Sequence, residues 1–511
     1  MPDPVPGQAM LPVRNRWLLT IGVMGAMIMQ ILDTTIANVA LPRMQTSLGA
    51  TSETVSWVLT SYIVAAAIAI PATGWLSDRL GSRNLFLFAV GGFIIASMLC
   101  GTAVSLEEMV AFRVLQGVAA AFIGPLSQTA MLDVNPPERA AKAMSVWGMG
   151  VMVGPILGPV IGGWLTESYN WRWCFYVNLP VGILTLAILW FLLPSRPKQT
   201  RSFDTLGFAM ISLAVAAFQL MLDRGQHADW FSSWEIVIEA MVAIAALWVA
   251  IVHLGTAKRP LFDRAIFKNR NLVMGMIFMV VIGISTMAPM ALLPTMLQNL
   301  FGYPVIDTGL MMAPRGVGVL FTMWFAGQMM GRIDARIMIM VGLAIFAFSL
   351  RQMAAWSLEM DFWPVVISGF IQGLGMGLVF MPLNSLAFAT LSHNYRTDGA
   401  SLLNLMRNVG QSAGISLVTV LLARNIQISH ADLAKHVTDQ SVPGINLGAL
   451  DQFGVLSDSV LGFADAMINK QAAMIAYIDD FYLMAGISIA VLPLVLLLRK
   501  PKGKAEVILA E

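Results

Sequence analysis

The sequence predicts an all-α polytopic membrane protein of fourteen transmembrane helices, arranged as two pseudo-symmetric six-helix bundles with two further helices inserted between them. Composition is the first ground: the 511 residues are 57% hydrophobic and only 12% charged, where soluble domains are about a quarter charged. The length of the apolar runs is the second, since a span takes about 20 mostly apolar residues. The third is that short motifs recur between the two halves.

In chain order, Met1 to Arg16 is polar and proline-rich, and the first apolar run opens at Trp17. That run is too long for the core of a cleaved signal peptide and reads as an uncleaved first span. Spans are expected at 17–39, 54–74, 85–105, 107–131, 143–165, 173–193, 206–223 and 234–254. A second group follows at 272–297, 308–330, 336–355, 362–388, 399–422 and 477–498. Interior Pro and Gly are tolerated where neighbouring groups satisfy the freed backbone; the least regular run, 308–330, holds Pro314 and Arg315. With the N-terminus inside, most Lys and Arg fall in cytoplasmic loops, and those outside include Arg172, Arg224, Arg351, Arg424, Lys435 and Lys470. This bias follows the positive-inside rule and makes both termini cytoplasmic. One long connection, 424–475, faces outside and carries His430, Lys435, His436, Asp439 and Pro443. Apolar recurrence from Asp465 to Ile478 predicts some helix within it.

The repeat fixes the organisation. Gly74 to Arg79 ends span two, and Gly327 to Arg332 ends span ten. Leu115-Gln116-Gly117 with Pro125 to Ala130 in span four matches Ile371-Gln372-Gly373 with Pro382 to Ala387 in span twelve. Spans seven and eight are then the insertion, and the division is 1–199, 200–256 and 257–511. Parallel repeats of this kind put a substrate site between the halves near the membrane midplane.

Two charges fall inside apolar runs. Asp33 lies in span one and Arg113 in span four, and an ionisable residue at membrane depth costs about 2.5–3.5 kcal/mol on insertion scales. A guanidinium neighbour favours the carboxylate and burial favours the acid, so their balance can make protonation depend on conformation. The plainer alternative for Arg113 is a structural role, bonding backbone carbonyls. The matching position in span twelve is Gly369, so no charge is needed to build that helix. Between spans two and three, Gly74, Asp78, Arg79, Gly81 and Arg83 combine a tight turn with charges able to latch helix ends. In span five, Gly150, Gly154, Pro155, Gly158, Pro159, Gly162 and Gly163 make a bent, close-packed helix. Asp223, near the outer end of span seven, is a weaker polar candidate. Cys100 and Cys174 read as inert buried thiols. The 36 methionines read as packing filler or as an adaptable surface for varied apolar ligands. His227, His253, His393, His430 and His436 have no ligand spacing, so neither a metal site nor a membrane-bound enzyme is expected. Nor is nucleic-acid binding, since the basic residues are spread among short loops.

With these motifs in hand, the chain resembles the major facilitator superfamily in its 14-span drug:proton antiporter branch, most closely the EmrB type. The likeness covers nearly the whole length. It rests on Leu32-Asp33-Thr34-Thr35-Ile36-Ala37-Asn38, the loop motif, Arg113 to Gly117 with Gln116, the span-five motif, Trp171 to Phe175, Leu222-Asp223-Arg224-Gly225, and Asn404 with Arg407 in span thirteen. Thr34, Asn38, Gln116, Asn404, Arg407 and Asp223 become the candidate polar pathway. One departure is Ser82, where a basic residue is common. The resemblance implies export across the inner membrane, with a periplasmic adaptor and an outer-membrane channel as partners, the adaptor meeting the 424–475 loop.

The sequence has no phosphate-binding loop and no cytosolic domain to hold one, so the energy is expected from a proton gradient and not from a bound cofactor. The expectation is a proton-coupled exporter of amphipathic, apolar drugs working by alternating access, and not an enzyme. An importer of a small solute and an exporter of one metabolite, such as a fatty acid or siderophore, are the rivals.

Overall fold

The computed structural model describes residues 9–51, 54–225, 228–436 and 455–499. These contain fourteen helices long and apolar enough to cross a membrane: α1 Arg16–Ser47, α2 Thr54–Leu80, α3 Ser82–Thr102, α4 Leu106–Asp133, α5 Ala140–Ser168, α6 Trp173–Leu192, α7 Thr205–Arg224, α8 Trp234–Thr256, α9 Arg270–Asn299, α10 Ile306–Met329, α11 Ala335–Met353, α12 Trp363–Ala389, α13 His393–Ala434 and α14 Gly462–Leu497. Among the described residues there is no strand, only one isolated bridge between Met330 and Ile333. Each expected span is present. Helix starts are set by side chains that accept the first free N–H groups: Asn15 for α1, Ser105 for α4, Asp204 for α7, Asn269 for α9 and Asp334 for α11. Pro71 sits in a tighter turn, Ile70–Ala72, inside α2.

Several helices outrun the windows read from hydropathy. The largest difference is at 424–475. The helix of α13 continues to Ala434, and the next helix already begins at Val455. No Gly or Pro interrupts 424–434, so the helix propagates beyond the apolar run. His430 Nε2 lies 2.9 Å from Asp465 Oδ1 and ties the two extensions together. Asp439 and Pro443 lie outside the described residues.

The halves pack alike. In the first, α1 packs on α5, α2 on α4, and α3 on α4; in the second, α9 packs on α13, α10 on α12, and α11 on α12. The repeat holds at the closest contacts. A Cβ at Gly117 would stand 2.4 Å from the Tyr62 carbonyl oxygen, and one at Gly373 would stand 2.0 Å from that of Arg315. The register that pairs Gly74 with Gly327 thus carries Tyr62 onto Arg315. Helices α7 and α8 pack on one another, and α7 also touches α2 and α13.

The described ends of the chain, near Leu11 and Arg499, lie on one face with the loop between α2 and α3, here the terminal face. Leu11 bonds Asp133 at the end of α4, and Arg499 bonds Asn271 at the start of α9.

Candidate functional site

Asp33 and Arg113 meet. Arg113 Nη1 donates to Asp33 Oδ2 at 2.7 Å, and the two side chains are 0% and 1% exposed. The other carboxylate oxygen accepts from Gln116 Nε2 and from Asn178 Nδ2, each at 2.8 Å. Arg113 is anchored on α2 as well, through Nε to the Val58 carbonyl at 2.9 Å and by lying over the Tyr62 ring, 4.3 Å from its centroid. It also donates to Gln116 Oε1 at 2.8 Å. Asn178 continues to Ser97 on α3 at 3.0 Å. One carboxylate therefore gathers α1, α2, α3, α4 and α6. Arg113 does both things that the sequence left open: it bonds a backbone carbonyl and it pairs with the acid.

Both carboxylate oxygens act only as acceptors here. A proton on Asp33 turns one oxygen into a hydroxyl that needs an acceptor of its own. It also removes the charge that strengthens the bonds from Arg113 and the amides, so the three bonds cannot keep their present balance. The network has a protonation-sensitive geometry built into it.

The other sequence candidates fall in different places. Thr34 turns back to the Ile31 carbonyl at 2.8 Å, and Asn38 is exposed further along α1. Asp223 stands apart from Asp33, exposed, accepting from Thr60. Asn404 instead bridges the halves: it donates to Gln128 on α4 at 3.2 Å and accepts from Arg407 at 3.1 Å. Gln128 in turn donates to Asn384 on α12 at 2.8 Å.

The loop motif joins a larger charge cluster on the terminal face. A Cβ on Gly74 would stand 1.6 Å from Asp398 Oδ1, so only glycine admits that carboxylate. Arg201 reaches Asp398 at 3.0 Å and Asp78 at 3.8 Å. Asp133 receives Arg196 at 2.5 Å and Arg396 at 3.2 Å. Gly81 takes φ +91°, which favours glycine. Ser82 accepts from the Arg196 backbone N–H at 3.1 Å, so the unusual serine has a local partner. Arg79 lies 5.2 Å from the Trp75 ring centroid, and Arg83 bonds the Trp190 carbonyl at 2.5 Å.

The span-five motif has two faces. Gly150, Gly154, Gly158 and Gly162, one turn apart, meet Met24, Ile31, Thr35 and Ile36 of α1; Gly163 is buried beside them. Pro155 and Pro159 look the other way, onto a cavity shared with α9, α10 and α12.

Sequence reasoning missed Asn178, Gln128, Asn384, Asp133 and Asp398. A lone amide in an apolar run is the signal that could have found the first three. Both Asp480 oxygens, buried on α14, lack a partner among the described residues.

Fourteen membrane-length helices in two similarly packed halves, with a buried ion pair knitting one half together, define a polytopic membrane transporter. The chain belongs to the Major Facilitator Superfamily, whose family model matches residues 23–415. It is 34% identical to the multidrug export protein EmrB of Escherichia coli (strain K12), over 95% of this chain and 96% of that one. It is 35% identical to the fatty acid resistance protein FarB of Neisseria gonorrhoeae, over 93% and 94%. A crystal structure of the human organic anion transporter MFSD10 shares the fold, with a TM-score of 0.57 over 93% of this chain and 99% of that one, at 14% identity. The resemblance read from the motifs is borne out. The protein is a multi-pass transporter of this superfamily.

Proposed function

We propose that this protein is a proton-coupled antiporter that exports amphipathic, apolar drugs or toxic compounds by alternating access. The observation that carries the reading is the carboxylate of Asp33, buried and held by three donors from α4 and α6. Similarity to multidrug export proteins supports the direction of transport. Facing outward, Asp33 takes a proton, lets go of Arg113 or the amides, and releases drug; facing inward, drug binding expels the proton and the network re-forms. A proton entering brings about 2.3 kcal/mol per 100 mV and about 1.4 kcal/mol per pH unit. Arg113 holds the acid and its surroundings between these states.

Residues 1–199 and 257–511 move as the two bundles, with 200–256 as the inserted pair. The terminal face is cytoplasmic in this reading, and its charge cluster around Asp133, Asp78 and Asp398 is the latch that opens when drug enters. The span-five glycines seat α1 closely against α5 within the first bundle. The protein sits in the inner membrane and hands its cargo to a periplasmic adaptor and an outer-membrane channel, with the extensions of α13 and α14 as the adaptor's contact.

The test is transport in proteoliposomes with an imposed pH gradient and a fluorescent amphipathic dye. The parent should concentrate dye against the proton flow, and folded Asp33→Asn should not. Full gradient-driven accumulation by folded Asp33→Asn refutes the proposal.

A further inference from the structure

The second half contains a counterpart of the Asp33 network with its acid missing. The register that carries Tyr62 onto Arg315 carries Asp33 onto Thr286, and the span-four register carries Gln116 onto Gln372. Arg315 is 8% exposed, and its Nη1 has no hydrogen-bond partner among the described residues. Among the described residues its side chain makes one long bond, Nη2 to the Thr286 carbonyl at 3.3 Å. Both side-chain polar atoms of Gln372 are likewise buried and unpaired. A buried guanidinium without an anion is costly, since a buried charge needs a partner.

Arg315 also lines the cavity beside the span-five prolines, with Met152, Met290, Met312 and Met376 around it. Its volume, about 50 Å³, is several times the ~10–15 Å³ that one water needs. Thioether side chains re-pack readily around apolar ligands of different shape. We infer that this cavity binds an amphipathic anion, its carboxylate or similar head on Arg315 and its apolar tail among the methionines. The ligand brings the negative charge that the first half supplies from Asp33. This rests on the exporter reading and narrows it to a substrate class, with Arg315 as the residue that selects head-group charge.

The experiment measures equilibrium binding of labelled decanoate and of decanol to the full chain in phosphatidylcholine nanodiscs. The parent should prefer decanoate, and Arg315→Gln should lower the decanoate-to-decanol affinity ratio at least tenfold. A second variant guards against misfolding. A Cβ at Gly369 would lie 3.8 Å from the Arg315 Cβ, with no other close neighbour, so Gly369→Asp has room to supply the carboxylate internally. It should fold and lose the decanoate preference. An unchanged ratio in both variants, or a parent that does not distinguish decanoate from decanol, overturns the inference. Repeating the measurement in phosphatidylglycerol nanodiscs separates a free acid from a bilayer lipid head: equal decanoate binding supports the former, and its loss shows that lipid occupies the site and overturns it as a substrate site. The outcome is separable from that of the exporter reading, because Asp33→Asn should keep the decanoate preference while losing gradient-driven transport.

Discussion

Removing the charge of Asp33 leaves Arg113 fully buried without a counter-ion, and the size of the penalty follows from the bonds. An Asn at 33 can put its oxygen toward Gln116 and Asn178, which turns its NH₂ toward the Arg113 donor, or toward Arg113, which loses both amides. Breaking one side of a buried ion pair costs about 3–5 kcal/mol. Arg113 keeps the Val58 carbonyl, the Gln116 oxygen and the Tyr62 ring face, which places Asp33→Asn near the lower end, at about 3 kcal/mol. Arg113→Gln strands the carboxylate and should cost about the same. The double variant carries no buried charge and should cost no more than either single variant, giving a coupling of about 3 kcal/mol in a double-mutant cycle. Both cysteines are buried and free, so a coumarin maleimide that fluoresces on reacting with thiols reports unfolding directly. Each single variant should melt several degrees below the parent, and the double variant well above the sum of the two shifts. Strictly additive shifts would refute the claim that the two residues act as one buried pair.

Gly158→Leu drives a side chain into Thr35, whose Oγ1 would lie 1.9 Å from the new Cβ; overpacking of about 1–3 kcal/mol and loss of dye transport are expected, whereas Gly486→Leu, with open space around its Cβ, should transport normally. Asp398→Asn frees Arg201 from its shorter carboxylate contact and should raise thiol labelling of a cysteine introduced at Ser401, buried beside the Ile70 carbonyl, at least severalfold. At Asp204, burial alone would raise the carboxyl, but donation from Gly207, His253 and Leu261 outweighs it and holds the group below the usual carboxylate range. A depressed folded value stabilises above the unfolded one and is lost as pH falls through the folded one. Asp204→Asn should therefore melt lower than the parent at pH 7, with the gap closing below about pH 4.

What the sequence made legible follows from what a bilayer demands. Backbone bonds must close within each helix and apolar runs must match the membrane, so all fourteen spans were readable. Asp33 and Arg113 stood out because each breaks an apolar run at a cost. Asn178, which donates to the same carboxylate, perturbs hydropathy far less and is chosen by partners distant in sequence. The Gly-Pro pattern of span five announced close packing, but which face meets α1 and which meets the cavity depends on the rotation of that helix. Arg315 was visible as an oddity; its unpaired state exists only once α9, α10 and α12 are packed. Hydropathy stops where the lipid stops and helix propensity does not. The α13 extension and the start of the Val455–Ala490 helix therefore lie beyond what the apolar runs show, while the helix expected from Asp465 to Ile478 is present within it.

Proton release on drug binding bears most directly on Asp33. Purified protein in weakly buffered solution with a pH-indicator dye should release about one proton per bound substrate, since binding in this account expels the proton from one carboxyl group. The double variant Asp33→Asn with Arg113→Gln, folded and without that carboxyl, should release none. Equal release from both proteins would contradict the assignment of the coupling proton to Asp33.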